Sequence, residues 1–447
     1  MKDLTPDVIL RLTGGQIRGS VPEGEIAAVT TDSRTVEPGC LFAAIPGARV
    51  DGHDFIRQAA EKGAVCVLCQ RFADADICQI KVPDTLAALR TVAAWYRGRF
   101  AIPVVGVTGS VGKTTAKEMI AAVLAQKFDT LKTEKNYNNE LGVPLTLFRL
   151  RERHQAAVVE MGISGFGEMR RLTGMVRPDI GVYTLIGDAH LEFLGDRPGV
   201  LRAKGEMVEG MGPEAAVIAN GDDELLREHD FGRRTVLFGQ GGNCHVRAAD
   251  IEANGTEGMR CTILAGKRRI PVTIPAFGDH MIYAALMGAA VGLELGLTDA
   301  EIADGIAAYE TVGSRGRVRR AGDVTILDDC YNANPTSTRS AIESLTRLPG
   351  RHVAILGDMR ELGPTGPALH REIGRFAAER CDAVIACGPE AKQIASGAGT
   401  DALWFPAPEE LIPALDTLVA AGDAVLVKAS RAMGFEKIVN ALTELEK

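Results

Sequence analysis

One short segment limits the folds open to this 447-residue chain more than any other: a glycine-rich loop that joins an apolar stretch to a helical one. The apolar run Ile102–Thr108 predicts a β-strand, and a helix is expected from about Thr114 to Gln126. Between them the chain reads Gly109-Ser110-Val111-Gly112-Lys113-Thr114-Thr115. Glycines let backbone N–H groups approach phosphate oxygens closely, and the start of a helix attracts negative charge. The loop therefore predicts nucleotide binding on a strand–loop–helix unit.

Two side chains of this loop have specific expected roles. Lys113 is expected to contact the terminal phosphates, and the Thr114 hydroxyl to bind Mg²⁺. The loop is a variant, because Val107 stands six residues before Lys113, where glycine is usual, and Gly106 lies one position earlier. The alternative is a plain glycine-rich turn, which the Lys-Thr-Thr at the helix start argues against. The sequence contains no Asn-Lys-x-Asp guanine element, which disfavours a GTPase switch.

Apolar strand-like runs alternate with helical stretches along the chain, a pattern typical of parallel sheets covered by helices. We predict three α/β domains: a small one over residues 1–100, a central parallel-sheet domain over 101–312 that carries the phosphate loop, and a Rossmann-like domain over 313–447. The run Met281–Leu297 contains Glu294 and is too short and too weakly apolar to span a membrane. It predicts a buried helix.

Composition excludes some classes of function. With 50 Lys and Arg against 58 Asp and Glu, the net charge is −8, which argues against non-specific nucleic-acid binding. Residues 1–13 lack the basic and apolar regions of a signal peptide. The nine cysteines predict reduced, mostly buried thiols in a cytoplasmic protein. Cys66 and Cys69 have CxxC spacing, but no second ligand pair follows at a spacing that suits zinc.

Three further residues are candidates for the site, and two of them lie at the carboxyl ends of predicted strands, where α/β sheets bind ligands. Glu160 ends the apolar run Ala156–Glu160 and is a candidate Mg²⁺ ligand, with a solvated acid as the alternative. His190 follows the predicted strand Ile180–Ile186, although a lone histidine is more often structural. Lys204 lies on a predicted helix, and composition alone favours an ordinary surface lysine there.

Two polar loops are candidates for substrate contact. Residues 133–144 are rich in amides and acids beside the nucleotide loop, and the alternative is a hydrophilic connector. Residues 328–335 follow a strand in the third domain, where Asp329 is a candidate ligand of a ribose hydroxyl or a cation. Asn332 and Asn334 either contact substrate or cap the following helix.

Taken together, these motifs resemble those of the Mur ligase family over nearly the whole chain. The segments that carry the resemblance are the phosphate loop, Thr31-Asp32-Ser33-Arg34, Gly52-His53-Asp54-Phe55, Lys135-Asn136-Tyr137-Asn138-Asn139-Glu140-Leu141-Gly142-Val143-Pro144, Asp329-Cys330-Tyr331-Asn332-Ala333-Asn334-Pro335, Leu356-Gly357-Asp358-Met359-Arg360-Glu361-Leu362-Gly363 and Lys428-Ala429-Ser430-Arg431. Segment 135–144 resembles the stretch typical of the dipeptide-adding member of the family.

The resemblance implies an ATP-dependent ligase of peptidoglycan synthesis, which adds D-alanyl-D-alanine to UDP-N-acetylmuramoyl-tripeptide through an acyl phosphate. Of its three domains, one would bind the UDP substrate and one ATP. The third would close over both and exclude water from the acyl phosphate. The implied cofactors are ATP and two Mg²⁺ ions. A cytoplasmic monomer is expected, with no nucleic-acid partner and no membrane insertion.

The family's site residues map onto this sequence as expectations. The catalytic set is Lys113, His190 and Lys204, with Lys204 carrying a carbamate formed from CO₂. The metal ligands are Thr114, Glu160, His190 and Lys204. The nucleotide contacts are Gly109, Ser110, Val111, Gly112, Lys113, Thr114, Thr115, His280, Arg315 and Asp329. The substrate contacts are Ser33, Asn136, Asn139, Asn332 and Asn334.

The sequence departs from the family pattern at two places. Met281 stands where an asparagine usually follows the histidine on the adenine side, and Ser164-Gly165 replaces an Asn-His pair. The Asp-Asn-Pro-Arg stretch of the tripeptide-forming ligase is absent, which favours the dipeptide-adding member. The tripeptide-forming ligase, the folylpolyglutamate synthetase branch, and an ATP-dependent switch or scaffold that forms no bond remain the alternatives.

Overall fold

The computed structural model describes residues 1–47 and 50–445 of the chain. Those residues form three β-sheets of five, nine and six strands, which follow one another along the chain. The predicted α/β class with three sheet-based domains is confirmed. Residues 446–447, at the end of the third predicted domain, lie outside the described residues.

The first sheet is small and mixed. Its elements are α1 (Pro6–Thr13), β1 (Gln16–Arg18), β2 (Val29–Thr30), β3 (Leu41–Ala43), α2 (Ile56–Glu61), β4 (Cys66–Cys69), β5 (Cys78–Lys81) and α3 (Thr85–Arg97). The strand order is β1-β5-β4-β3-β2, and β1 alone is antiparallel to its neighbour. Helix α3 begins where the Asp84 carboxylate accepts a hydrogen bond from the backbone N–H of Ala87, 3.0 Å away.

The central sheet carries the phosphate loop. Its elements are β6 (Val104–Thr108), α4 (Lys113–Leu124), β7 (Thr130–Lys132), α5 (Gly142–Leu147), β8 (Ala156–Glu160), α6 (Glu168–Val176), β9 (Ile180–Tyr183), α7 (Leu191–Leu194), α8 (Arg197–Gly205), β10 (Ala216–Asn220), α9 (Glu224–Glu228), β11 (Arg234–Gly239), β12 (Val246–Ala253), β13 (Met259–Ala265), β14 (Arg268–Ile274), α10 (His280–Glu294) and α11 (Asp299–Ala307). The order is β14-β13-β12-β11-β10-β9-β6-β8-β7. From β7 to β12 every neighbouring pair is parallel, as predicted.

The far edge of this sheet differs from the prediction of a purely parallel sheet. Strands β12, β13 and β14 are antiparallel, and a two-residue turn containing Gly266 joins the last two. Along β14, buried Ile270, Val272 and Ile274 alternate with exposed residues. This period of two is typical of a sheet with one covered face, and parallel strands buried on both faces lack it.

The third sheet forms the Rossmann-like domain. Its elements are β15 (Arg317–Ala321), β16 (Val324–Asp328), α12 (Pro335–Leu345), β17 (His352–Gly357), α13 (Gly366–Ala378), β18 (Ala383–Cys387), α14 (Lys392–Ala398), β19 (Leu403–Phe405), α15 (Pro408–Leu411), α16 (Leu415–Leu418), β20 (Ala424–Lys428) and α17 (Glu436–Thr443). The order is β15-β16-β20-β17-β18-β19, and β15 is the antiparallel edge strand. The carboxyl ends of β16, β17 and β20 meet at one edge of this sheet.

The hydrophobic cores do not follow the three sheets one to one. A single core cluster contains Leu41 and Leu89 from the first segment together with Val159 and Leu172 from the central one. The other face of the central sheet packs against α10, whereas the third sheet has a core cluster on each of its two faces, one of which also includes Phe277 from the central segment. The first two segments therefore share buried apolar surface.

The predicted buried helix over residues 281–297 is observed as α10. Most of its side chains are buried, including Ile282, Leu286 and Val291. Among the residues that the structure describes, no helix combines the length and the apolar character that crossing a bilayer requires.

Candidate active site

The glycine-rich loop lies between β6 and α4, as predicted. Gly109 has φ +146°, and a Cβ there would lie 1.9 Å from the Thr184 hydroxyl oxygen, so this position requires glycine. Gly112 has φ +82° and precedes the first residue of the helix, Lys113. The Lys113 ammonium donates a hydrogen bond to the Gly109 carbonyl, 2.7 Å away. Burial lowers the pKa of Lys113, and the nearby Arg315 charge acts in the same direction while Glu160 opposes it.

Glu160, at the carboxyl end of β8, is brought directly to the phosphate loop. Its side chain is buried, and Oε2 accepts a hydrogen bond from the Thr114 hydroxyl at 2.9 Å. Its Oε1 accepts a second one from the Asn138 amide at 2.8 Å. A carboxylate and a hydroxyl are the hard oxygen donors that Mg²⁺ prefers, so this pair fits the ion.

Asn138 is a member of this site that the sequence analysis left out. The prediction selected Asn136 and Asn139 from the same stretch, yet Asn136 is exposed. The Asn139 side chain accepts hydrogen bonds from the backbone N–H groups of Leu141 and Gly142. Three asparagines within four positions offered no pattern by which one could be preferred.

Lys204, on α8, is fully buried, and its ammonium nitrogen has no hydrogen-bond partner among residues 1–47 and 50–445. Burial lowers the pKa of Lys204 well below its usual value, and the neighbouring Lys113 charge lowers it further, against the effect of Glu168. Burial without a partner is unusual for a lysine and overturns the interpretation as a surface residue. A neutral amine is the form that adds CO₂, so this environment fits the expected carbamate.

His190 contacts the third domain rather than another predicted ligand. It has φ +57°, and its Nδ1 lies 2.5 Å from the Glu361 carboxylate. The His190 hydrogen bond lowers the pKa of Glu361, although partial burial opposes that change. In the described part of the chain, no group of three or more His, Cys, Asp or Glu side chains is arranged to hold a metal ion. Of the four predicted metal ligands, only Glu160 and His190 belong to these residue types, and Thr114 and Lys204 do not.

At the carboxyl edge of the third sheet, Asp329 is paired with Lys428. The buried Lys428 ammonium lies 2.5 Å from the Asp329 carboxylate and donates to the Asn332 carbonyl at 3.0 Å. The Arg315 guanidinium stacks on the Tyr331 ring, 3.6 Å from the ring centroid. The predicted contacts Arg315 and Asp329 are thus near each other in the fold, and Lys428 is an addition that the sequence analysis did not select.

Three other predicted residues lie near this edge or in the first domain. Burial lowers the pKa of His280, and the charge of Lys428 lowers it further, whereas Asp329 raises it. Ser33 is buried at the start of a short 3₁₀ helix that the Asp32 carboxylate caps. The Asn334 side chain caps α12 in a reciprocal capping box with Ser337, which is the capping alternative considered above.

The central and third domains meet beside the phosphate loop. The Ser110 hydroxyl donates to the Gly187 carbonyl at 3.2 Å, and the next residue, Asp188, donates its backbone N–H to the Thr336 hydroxyl at 3.2 Å. A short loop after β9 therefore links the phosphate loop to the first turn of α12. The arrangement can hold a nucleotide between the two sheets.

Three family models match consecutive parts of the chain. The model of the Mur ligase family catalytic domain matches residues 25–97, that of the Mur ligase middle domain residues 107–292, and that of the Mur ligase glutamate ligase domain residues 315–431.

Individual proteins are similar over nearly the full length. UDP-N-acetylmuramoyl-tripeptide–D-alanyl-D-alanine ligase of Escherichia coli (strain K12) is 36% identical over an alignment of 452 positions, gaps included, which covers 99% of each chain. A crystal structure of MurF from Acinetobacter baumannii has a TM-score of 0.93 at 32% identity, covering 99% of both chains. A crystal structure of MurF ligase from Thermotoga maritima in complex with ADP has a TM-score of 0.85 at 31% identity, covering 94% of this chain and 97% of that one.

Proposed function

Because this chain belongs to the Mur ligase family, we infer that it is an ATP-dependent, ADP-forming ligase that adds D-alanyl-D-alanine to UDP-N-acetylmuramoyl-tripeptide in peptidoglycan synthesis. The observation that carries this function is the similarity to a ligase of that specificity over 99% of each chain. A related structure that binds ADP supports ATP as the nucleotide. The motif-based prediction of the family and of the reaction is confirmed.

The reaction joins a carboxyl group to an amino group in two steps. The terminal carboxylate of the tripeptide attacks the γ-phosphorus of ATP, which gives an acyl phosphate and releases ADP. The amine of D-alanyl-D-alanine then attacks the activated carbonyl carbon, and phosphate leaves as the amide forms. Two anions must meet in the first step, so catalysis depends mainly on positioning and on neutralisation of charge.

We propose that the phosphate loop and Glu160 form the triphosphate side of this site. The loop amides and Lys113 would bind the β- and γ-phosphates, and Lys113 would exchange its present contact with the Gly109 carbonyl for a phosphate oxygen. Thr114 and Glu160 would hold Mg²⁺. When bound, the ion supplies positive charge to the phosphate oxygens at which negative charge develops.

Lys204 is proposed to act as a carbamate. Its buried nitrogen has no hydrogen-bond partner among the described residues, which costs folding free energy. Carbamate formation would convert this amine into an anionic group whose oxygens can bind a metal ion. With His190, that ligand would hold a second Mg²⁺. The modification is testable without turnover: ¹³C-NMR of the protein in labelled bicarbonate should show a carbamate carbon that is absent from Lys204→Met.

The remaining predicted contacts come from the outer domains. We propose that Arg315, Asp329 and His280 contact the nucleotide from the third domain side, and that Ser33 contributes to UDP binding in the first. Asn136 and Asn332, both exposed, are proposed substrate contacts. The side chains of Asn139 and Asn334 are engaged with nearby backbone groups, so any substrate contact there would compete with those hydrogen bonds.

We also propose that the enzyme is a cytoplasmic monomer. All nine cysteines, which lie in the described part of the chain, are free thiols, and the Cys66 thiol donates a hydrogen bond to the Cys78 sulfur at 3.6 Å. Free and mostly buried thiols suit a reducing compartment.

Phosphate release with matched substrate pairs tests the function. ATP is supplied with UDP-N-acetylmuramoyl-tripeptide and D-alanyl-D-alanine, or with the UDP-linked dipeptide and a diamino acid, or with a folate and glutamate. We expect phosphate release with the first pair and dependence on both of its members. ATP hydrolysis that is indifferent to every acceptor would refute the ligase function, and release with another pair would reassign the substrate.

A further inference from the structure

A closed ring of hydrogen bonds ties the phosphate-loop helix to the carboxyl ends of β7 and β8. The Lys117 ammonium on α4 donates to the Thr133 carbonyl at 2.6 Å. The Thr133 hydroxyl in turn accepts from the backbone N–H of Glu160 at 3.0 Å. Glu160 returns to the same helix through Thr114, at 2.9 Å. Thr114 and Lys117 are three positions apart and therefore lie on one face of α4.

Lys117 is in an environment that needs explanation. Its side chain is 1% exposed, and burying a charge is costly unless it is paired and hydrogen-bonded. Glu118 supplies the pairing, with its Oε1 2.8 Å from the Lys117 nitrogen. The other oxygen of Glu118 pairs with Lys132, whose side chain is 46% exposed. Glu118 therefore compensates the buried charge of Lys117 while it also pairs with Lys132, and Lys117 contributes to the site by holding the Thr133 carbonyl.

Thr133 connects Lys117 to the residues around the proposed metal site. The residue is fully buried, its backbone N–H pairs with Val158 on β8, and it begins the loop that delivers Asn138 to Glu160. The position of the Glu160 carboxylate, and that of the Asn138 amide that donates to it, thus both depend on where Thr133 lies. Lys117 is the side chain that holds its carbonyl.

We propose that Lys117 is a positioning residue, which orients the Glu160 carboxylate through Thr133 for the metal–nucleotide complex. This inference rests on the proposed role of Glu160 in holding the ion. Residues behind a metal ligand, although they do not touch the metal, commonly set its affinity. Lys117 also belongs to the same helix as Lys113, so one rigid element positions the phosphates and the carboxylate together.

The test uses Mn²⁺ with ADP as the probe on the full-length protein, followed by electron paramagnetic resonance. Lys117→Met is expected to weaken Mn²⁺ binding in the presence of ADP by about tenfold or more. ADP binding without metal, measured by calorimetry, should be unchanged. Lys117→Arg keeps a cation and should recover part of the affinity. The matched control is Lys132→Met, which removes the exposed partner of Glu118 and leaves the Thr133 contact in place.

Variants of Thr133 provide a second, independent test in the same Mn²⁺-binding assay. Thr133→Val keeps the carbonyl that Lys117 contacts but loses the hydroxyl that accepts from Glu160, so it should weaken Mn²⁺ binding to a similar degree. Thr133→Ser should retain the parent affinity. The double variant Lys117→Met/Thr133→Val should be no weaker than the worse single variant, because both act through one contact path. If Lys117→Met does not yield folded protein, the Thr133 pair decides the question.

The outcomes separate this inference from the proposed function. Parent-like Mn²⁺ affinity in folded Lys117→Met, or in Thr133→Val, would overturn the positioning role alone. An equal loss of metal-free ADP binding would also overturn it, since it would show a general distortion of the phosphate loop. A parent protein that binds no Mn²⁺ with ADP would remove the proposed ATP site, and this inference with it.

Discussion

Lys204→Met is expected to stabilise the central domain while it removes ligase activity. The Lys204 side chain is fully buried, and its nitrogen lacks a hydrogen-bond partner in the part of the chain that the structure describes. A buried polar group without a partner costs about 1–3 kcal/mol. Methionine is also long and unbranched, so it can fill the same space without a polar atom. In CO₂-depleted buffer without nucleotide, the free energy of unfolding should therefore rise by about 1–3 kcal/mol.

Hydrogen exchange measured by mass spectrometry suits this test, because a three-domain chain does not unfold in one step. Peptides that cover α8 should exchange more slowly in Lys204→Met than in the parent. Lys117→Met is the matched control: it removes a buried lysine, leaves the Thr133 carbonyl unpaired and leaves Glu118 with Lys132 as its remaining ion-pair partner, so exchange from α4 should be faster. Faster exchange from α8 in Lys204→Met would refute the reasoning, since it would mean that the amine contributes a favourable interaction.

Three further outcomes are expected. Lys113→Ala should abolish ligation in the phosphate-release assay, and near-normal turnover would contradict the assignment of the phosphate loop. Lys204→Ala should be inactive, and added formate or acetate should restore part of its activity by supplying the missing carboxylate; full activity without either would exclude Lys204 as a needed ligand. Hydrogen bonds from the backbone and side chain of His53 lower the pKa of Asp51 from 3.8 to about 2, so the native state gains stability above pH 3.8 and loses that gain as the pH falls through 2. Asp51→Asn should therefore lower the thermal unfolding temperature by more at neutral pH than at pH 2, and an equal difference at both pH values would contradict this.

The central features of the site were predictable because they depend on local chemistry. The glycine-rich loop and the start of α4 are adjacent in sequence, so their juxtaposition needs no knowledge of the fold. Glu160 was predictable for a related reason: strands β6 and β8 are parallel neighbours, and their carboxyl ends lie at the same edge of the sheet. The 2.9 Å contact between Thr114 and Glu160 follows from these two facts.

Other features depend on contacts between distant segments. Glu361 reaches His190 from 171 positions away, and Lys428 reaches Asp329 from 99 positions away. Spacing along the chain carries no signal for either pair. The antiparallel strands β12 to β14 were not predicted for a different reason: along β14, buried and exposed residues alternate, so the strand contains no continuous apolar run. Lys204 looked ordinary by composition, and its burial is a property of tertiary packing.

The core shared by the first two segments has a consequence for how this enzyme can be divided. Leu89 and Leu172 are buried in one cluster, and the Tyr96 hydroxyl donates to the Leu150 carbonyl across the same junction. A fragment that ended near residue 100 would expose this apolar surface to water and be prone to aggregate. The first segment is therefore unsuited to separate expression or to exchange between relatives on its own, because its smallest self-contained unit includes the central segment. The third sheet shares less core with the rest of the chain: its two clusters take only Phe277 from the central segment.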